Sequence, residues 1–159
     1  MTFRLFARRL ALAGAFFTAA SAFAQVQVQD AWVRATVAQQ KATGAFMRLT
    51  ATQTTRLVGA SSPVAAITEV HEMKMEGDVM KMRAIAGIDL PGGKAVELKP
   101  GGYHLMMMDL RQAITPGSTV PLTLVFERQG GERETLQVQA SVRALGAAAA
   151  TGHGPSHGH

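Results

Sequence analysis

Two histidines and seven methionines are gathered between residues 71 and 108 of this 159-residue chain. They include every histidine outside the C-terminal tail and most of the nine methionines, and the chain has no cysteine. Imidazole nitrogen and thioether sulfur bind soft or borderline metals, above all Cu(I), whereas thioethers are poor ligands for Zn(II), Mg(II) or Ca(II). The residue types in this region therefore predict a site for a soft metal ion.

The first half of this region has the pattern of a β-hairpin. Two alternating segments are separated by Gly77-Asp78, a dipeptide whose chemistry suits a two-residue turn. Residues that lie opposite one another in a hairpin share a face of the sheet. His71 and Met82 are therefore predicted to be diagonal neighbours within reach of one ion. The pairs predicted by this register are Met75 with Met80, Met73 with Met82, and His71 with Ala84.

The second half contains a His-x-Met pair on a predicted strand. Residues 103–108 follow a Pro-Gly-Gly turn, and alternation places His104 and Met106 on one face of that strand. Met107 is predicted to lie on the other face, where it packs in the core. Two imidazoles and two thioethers form a neutral candidate set of four donors, which are His71, Met82, His104 and Met106.

Packing is the alternative interpretation of these residues. Methionines that alternate along strands are usually core residues, and a histidine among them is commonly a hydrogen-bonded structural residue. Metal binding is favoured because His71 and His104 each have a methionine two positions later. No carboxylate is expected on the shared face, since alternation turns Glu72 and Asp109 away. Two rival functions stay open: a copper oxidoreductase that uses the same ligands, and a structural β-sandwich without metal.

The elements around this region predict an all-β domain over residues 25–143. Short alternating segments are joined by turns that contain Gly or Pro, and no segment keeps a helical period over three turns. Residues 121–128 and 134–142 look like a closing pair of strands. This pattern is typical of an antiparallel β-sandwich or Greek-key barrel. Trp32, the only tryptophan, is expected to be a packing residue of the core.

Residues 1–24 have the features of a secretory signal peptide that is cleaved after Ala24. A positive start precedes an apolar run that is short for a membrane span, so stable membrane insertion is not expected and the periplasm is the predicted location. The chain has a formal net charge of +5, and three arginines of this segment account for three of those charges, which leaves +2. No basic cluster remains to indicate nucleic-acid binding. The three arginines are Arg4, Arg8 and Arg9.

Residues 144–159 form a low-complexity tail that is rich in Ala and Gly. Such composition predicts disorder. The tail carries His153, His157 and His159, and Cu(II) prefers imidazole and amide nitrogen. A second metal site for Cu(II) is therefore predicted here, with the folded domain holding Cu(I) after reduction. The alternative is a solvated tail that binds no metal.

The histidine and methionine region resembles the periplasmic copper chaperones of the PCu(A)C family. The pattern of that family is His, ten residues, Met, twenty-one residues, then His-x-Met, and His71, Met82, His104 and Met106 match it without a gap. The likeness covers most of the domain, including the segments DAWVRAT and LPGGKAVELKPGGYH. As a motif match, this spacing is specific.

The resemblance implies a cupredoxin-like β-sandwich with a Cu(I) site at its surface, formed by those four residues. It also implies delivery of copper for the assembly of respiratory cytochrome oxidase, to an oxidase subunit or a Sco-type protein. Copper would leave by ligand exchange from a shallow site, and no catalytic residue is expected. The protein is expected to be a monomer.

Overall fold

In a computed structural model of the protein, residues 25–146 are described and form ten β-strands. Within that range there is no helix, and so none that would cross a membrane. The predicted signal peptide and the three tail histidines lie outside the described residues. The strands are β1 (Val26–Arg34), β2 (Ala42–Ala51), β3 (Thr55–Ser61), β4 (Ala65–Glu76), β5 (Val79–Ala84), β6 (Ile88–Leu90), β7 (Ala95–Leu98), β8 (Tyr103–Leu110), β9 (Thr119–Arg128) and β10 (Arg133–Arg143).

The strands form one continuous ladder in the order β5-β4-β8-β7-β2-β1-β10-β9-β3-β6, and β8 also pairs with β2. The two halves of this ladder enclose a common core. Leu105 and Met107 of β8 belong to the same buried cluster as Leu124 and Phe126 of β9. Apolar residues on alternate positions of both halves drive this packing. The predicted all-β, cupredoxin-like sandwich is confirmed.

Most strand pairs are antiparallel, as predicted, but two are parallel. β1 pairs with β10 in the same direction, and a single parallel pair joins Leu98 of β7 to Tyr103 of β8. The alternation of a strand indicates which of its faces is buried but not the direction of its neighbour, so the sequence did not reveal these pairs. The three-residue strand β6 was also missed, because three residues are too few to show a period.

The hairpin of β4 and β5 has the predicted register in every pair. Gly77 has a φ of 63°, whereas Asp78 is not among the residues with positive φ. A positive φ at the first central residue is what a type II′ hairpin turn requires, and glycine adopts it without steric cost. The turn chemistry therefore determines which side chains of the hairpin share a face.

An extra residue in β1 changes which way Trp32 points. The register between β1 and β2 shifts by one between Gln29 and Trp32, and Asp30 within this bulge has a φ of 51°. After the bulge Val33 enters the core cluster, whereas Trp32 lies opposite Phe46 on the other side of the sheet. Trp32 is buried, as predicted, but it packs outside the main core cluster.

Methionines 107 and 108 test the assignment of faces on β8. Met107 is 0% exposed in the core, and Met108 is half-buried on the opposite face. We expect Met107→Ala to lower the free energy of unfolding by about 2–5 kcal/mol, because it leaves a cavity in a packed core. Met108→Ala is the matched control and should cost clearly less. Urea unfolding followed by Trp32 fluorescence measures both values, and equal losses would contradict the assignment.

Candidate metal centre

Two buried histidines lie side by side where β4 pairs with β8. His71 is directly opposite His104 in that pairing, and the ring centroids are 5.8 Å apart at an interplanar angle of 48°. The residues are 8% and 6% exposed, respectively. Burial disfavours the charged form of an imidazole, and so does a second imidazole beside it. The arrangement therefore favours the neutral form of His104.

The hydrogen bonds of His104 determine which of its nitrogens is free. Nδ1 lies 3.1 Å from the carbonyl oxygen of Gly102. A carbonyl only accepts, so the proton of the neutral ring is assigned to Nδ1, and Nε2 carries a lone pair. That nitrogen is 3.2 Å from Sδ of Met82. Two electron-rich atoms thus face each other, an arrangement that a bound cation would stabilise.

His71 has the same division between its two nitrogens. Nε2 lies 3.0 Å from Oε2 of Glu69, and an ionised carboxylate only accepts, so Nε2–H donates. Nδ1 is buried and has no hydrogen-bond partner. An unpaired buried nitrogen is destabilising, at about 1–3 kcal/mol. Each histidine of the pair therefore offers one nitrogen that the protein itself does not use.

Met82 and Met106 join His104 in one cleft of about 310 Å³. Met82 is 48% exposed, and Met106 is half-buried opposite Gly44 of β2. His71 lies next to His104 on the adjacent strand but is not among the residues that line the cleft. The fold therefore brings the four predicted ligands together on neighbouring strands β4, β5 and β8.

Aromatic rings form a wall on one side of His104. The centroid of Phe46 is 6.3 Å from that of His104, and Trp32 stacks on Phe46 at 4.4 Å. A Cβ at Gly44 would come within 2.7 Å of the Phe46 ring, so glycine at this position leaves room for the ring. The sequence analysis did not predict this wall, because the alternation of residues in β1 does not reveal the bulge in that strand.

Glu69 corrects the expectation that no carboxylate shares the histidine face. It lies two residues before His71 on the same strand, so alternation alone would have placed both on one face. Its role is to accept the His71 hydrogen bond. Glu72 lies on the other face, as predicted, and forms an ion pair with Arg83 at 2.6 Å.

Burial is the main reason why the pKa of His104 is lowered from its usual 6.5. The hydrogen bond to Gly102 acts in the opposite direction, and electrostatic repulsion from Arg34, and from His71 whenever that ring is protonated, lowers the pKa of His104 further. His104 therefore stays neutral, with Nε2 able to bind a metal, at a lower pH than a free histidine would.

A model of one protein family matches most of this chain. The model of the LpqE-like family, described as "Putative lipoprotein LpqE-like", matches residues 26–142. A protein of Leifsonia xyli subsp. xyli, named "Putative lipoprotein Lxx21020", is 33% identical over 102 residues. The match covers 64% of this chain and 61% of that relative, so the chain spans less than two thirds of its length.

Solved structures with the same fold include proteins determined with copper. The Cu(I) form of DR1885 from Deinococcus radiodurans is 31% identical, with a TM-score of 0.57 over 77% of this chain and 81% of that one. Its apo form is 29% identical, with a TM-score of 0.57 over 91% and 95% of the chains. The copper-bound PCuAC domain from PmoF2 has a TM-score of 0.60 over 76% and 94% at 24% identity, which shows a shared fold alone.

The pKa of His104 can be measured directly by NMR titration of its ring protons. We expect a value below that of the same histidine in the urea-unfolded chain, and a rise in Arg34→Gln, which removes one positive charge. As the pH falls, His104 of the unfolded chain takes up a proton before His104 of the folded chain does. Protonation of His104 therefore leaves the free energy of unfolding unchanged above about pH 6.5 and reduces it below that pH. A pKa equal to the unfolded value would contradict this account.

Proposed function

This chain belongs to the LpqE-like family, and from that premise we propose that it is a copper chaperone. It binds one Cu(I) through His71, Met82, His104 and Met106 and passes the ion to an acceptor protein. The observation that carries this proposal is the buried histidine pair, in which each ring keeps one nitrogen free. A neutral set of two imidazoles and two thioethers suits Cu(I).

The related structures support the same metal. DR1885 was solved with Cu(I) bound, and the PCuAC domain from PmoF2 with copper. In the present protein His71 would contribute Nδ1 and His104 would contribute Nε2, because hydrogen bonds occupy the other nitrogens. Such outer hydrogen bonds fix the tautomer and orientation of a metal-binding imidazole.

The position of the sulfur ligands suits release as well as binding. Met82 is about half exposed, whereas His71 and His104 are buried. A ligand from an acceptor protein can therefore approach the ion from the side of the methionine. Thioethers are the weaker donors and would leave first, so copper would move by stepwise ligand exchange with no change in its oxidation state.

We propose that the acceptor is a protein of cytochrome oxidase assembly in the periplasm, either an oxidase subunit or a Sco-type protein. The support for this destination is the likeness to PCu(A)C chaperones and the features of residues 1–24. The family is named for lipoproteins, but this sequence has no cysteine to which a lipid could be attached.

A Cu(I) titration against a coloured chelator tests the four-ligand site. We expect one tightly held Cu(I) in the wild type and at least a roughly tenfold loss of affinity, about 1.4 kcal/mol, in His104→Ala. Met108→Leu, which changes a methionine of the same strand outside the proposed ligand set, is the matched control. Trp32 fluorescence shows whether each variant is folded. Wild-type affinity in a folded His104→Ala would favour a structural role for the histidines instead.

Cu(II) binding by the tail stays a prediction, since His153, His157 and His159 lie outside the described residues. Deletion of residues 150–159 is expected to abolish Cu(II) binding outside the folded site and to leave Cu(I) affinity unchanged. Electron paramagnetic resonance of the Cu(II)-loaded protein measures the first effect. Identical spectra from the full chain and the deletion variant would rule out a tail site.

A further inference from the structure

Four methionines form a ladder along one face of the hairpin of β4 and β5. Met73 pairs with Met82 near the histidines, and Met75 pairs with Met80 near the Gly77 turn. We call these pairs the inner and outer rungs of the methionine ladder. In the outer rung Met75 is 53% exposed and Met80 is 44% exposed.

Burial of apolar surface does not account for the outer rung. Every residue of β5 is exposed, so the end of this hairpin extends away from the core. The opposite face of the hairpin carries charged side chains, with ion pairs from Lys81 to Glu76 at 2.7 Å and from Arg83 to Glu72 at 2.6 Å. A polar residue would be the ordinary choice on the water-exposed methionine face too, and β-branched residues form strands more readily.

The ladder is continuous with the candidate metal centre. Met73 and Met82 line the cleft that contains His104 and Met106. The carbonyl of Gly102 accepts from the backbone N–H of Met73 at 3.1 Å and from Nδ1 of His104 at 3.1 Å. The inner rung is therefore held against the loop that orients the histidine.

We propose that the methionine ladder is a second Cu(I) site, made only of thioethers, through which copper enters and leaves the four-ligand centre. This inference rests on the proposed function. Side chains directly opposite in a hairpin have Cβ atoms about 4.5–5.5 Å apart, and diagonal neighbours about 7–8 Å. Methionine has three rotatable bonds, so three or four of these sulfurs can converge on one ion.

Met82 belongs to both sites and allows transfer by exchange of one ligand at a time. An ion held by the outer rung and Met82 gains Nε2 of His104 as it loses the sulfurs of Met75 and Met80. Copper stays Cu(I) throughout, so no electron donor is needed. A thioether carries no proton, so no proton is released when it binds.

A protein-docking surface is the competing explanation for exposed methionines. Substitution by leucine distinguishes a copper site from a docking surface, because Met→Leu keeps the apolar area and removes the sulfur. The test variant is Met75→Leu/Met80→Leu, and Val79→Ala on the charged face of the same hairpin is the control. The unchanged methyl signal of buried Met107 reports that each variant is folded.

The experiment is a titration of the full chain with ascorbate-maintained Cu(I), followed by NMR of ¹³C-labelled methionine methyl groups. We expect Met82 and Met106 to shift with the first equivalent, and Met75 and Met80 with the second. In the double leucine variant, the number of Cu(I) ions bound per chain, counted with a coloured chelator, falls from two to one, and removal of the first Cu(I) by the chelator is slower. Val79→Ala should behave as wild type.

The ladder proposal is overturned if the methyl signals of Met75 and Met80 stay fixed in excess Cu(I). It is equally overturned if the double leucine variant loads a second ion and releases the first at the wild-type rate, which is the result that a docking surface predicts. Failure of the proposed four-ligand centre would be recognised from a different methyl signal. Met106 belongs to that centre alone, so its methyl signal would not respond to the first equivalent.

Discussion

The pairing of β4 with β8 is the constraint on which the whole site depends. It sets His71 directly opposite His104, and in the adjacent pair it sets Val70 opposite Leu105. Those two apolar residues are buried in the core on the other face of the sheet. A slip of β4 by one residue would turn Val70 from the core into water and would separate the imidazoles. The hydrophobic core therefore determines the strand register on which the candidate metal centre depends.

The histidine pair is held in place at a local cost in stability. Nδ1 of His71 is buried without a partner, and Nε2 of His104 faces a sulfur that cannot donate to it. A fold selected only for stability would satisfy both nitrogens, because an unpaired polar atom in the interior opposes folding. Functional sites are where such exceptions to local satisfaction are expected. The ten-stranded core supplies the stability that offsets them.

Local patterns in the sequence predicted the hairpin completely and the faces of β8 correctly. Gly77-Asp78 determines the hairpin register, and alternation then assigns each face, so His71 and Met82 could be placed without a structure. Glu69 could also have been found in this way, since it lies two residues before His71. The strand pairing that sets His71 opposite His104 was not predicted, because contacts between distant strands leave no local periodic signal.

The bulge at Asp30 shows a second limit of sequence reasoning. Val26 and Val28 alternate inward, and an unbroken strand would turn Trp32 inward as well. One extra residue reverses the alternation, so the indole packs on Phe46 beside the metal centre instead. Aspartate tolerates the left-handed φ that the bulge needs, but it is also common in ordinary turns and loops. The residue type alone therefore does not reveal the bulge.

The gradient of exposure across the candidate site is compatible with both binding and release of the proposed ion. Exposure rises from 6% at His104 to 48% at Met82 and 53% at Met75. Buried imidazoles in a preorganised pair would hold an ion without reordering, because packing already fixes their orientation. The exposed thioethers of the hairpin could then be replaced one by one. If all four proposed ligands were as buried as the histidines, an acceptor could reach a bound ion only after local unfolding, so the proposed transfer between folded proteins depends on the half-exposed sulfur of Met82.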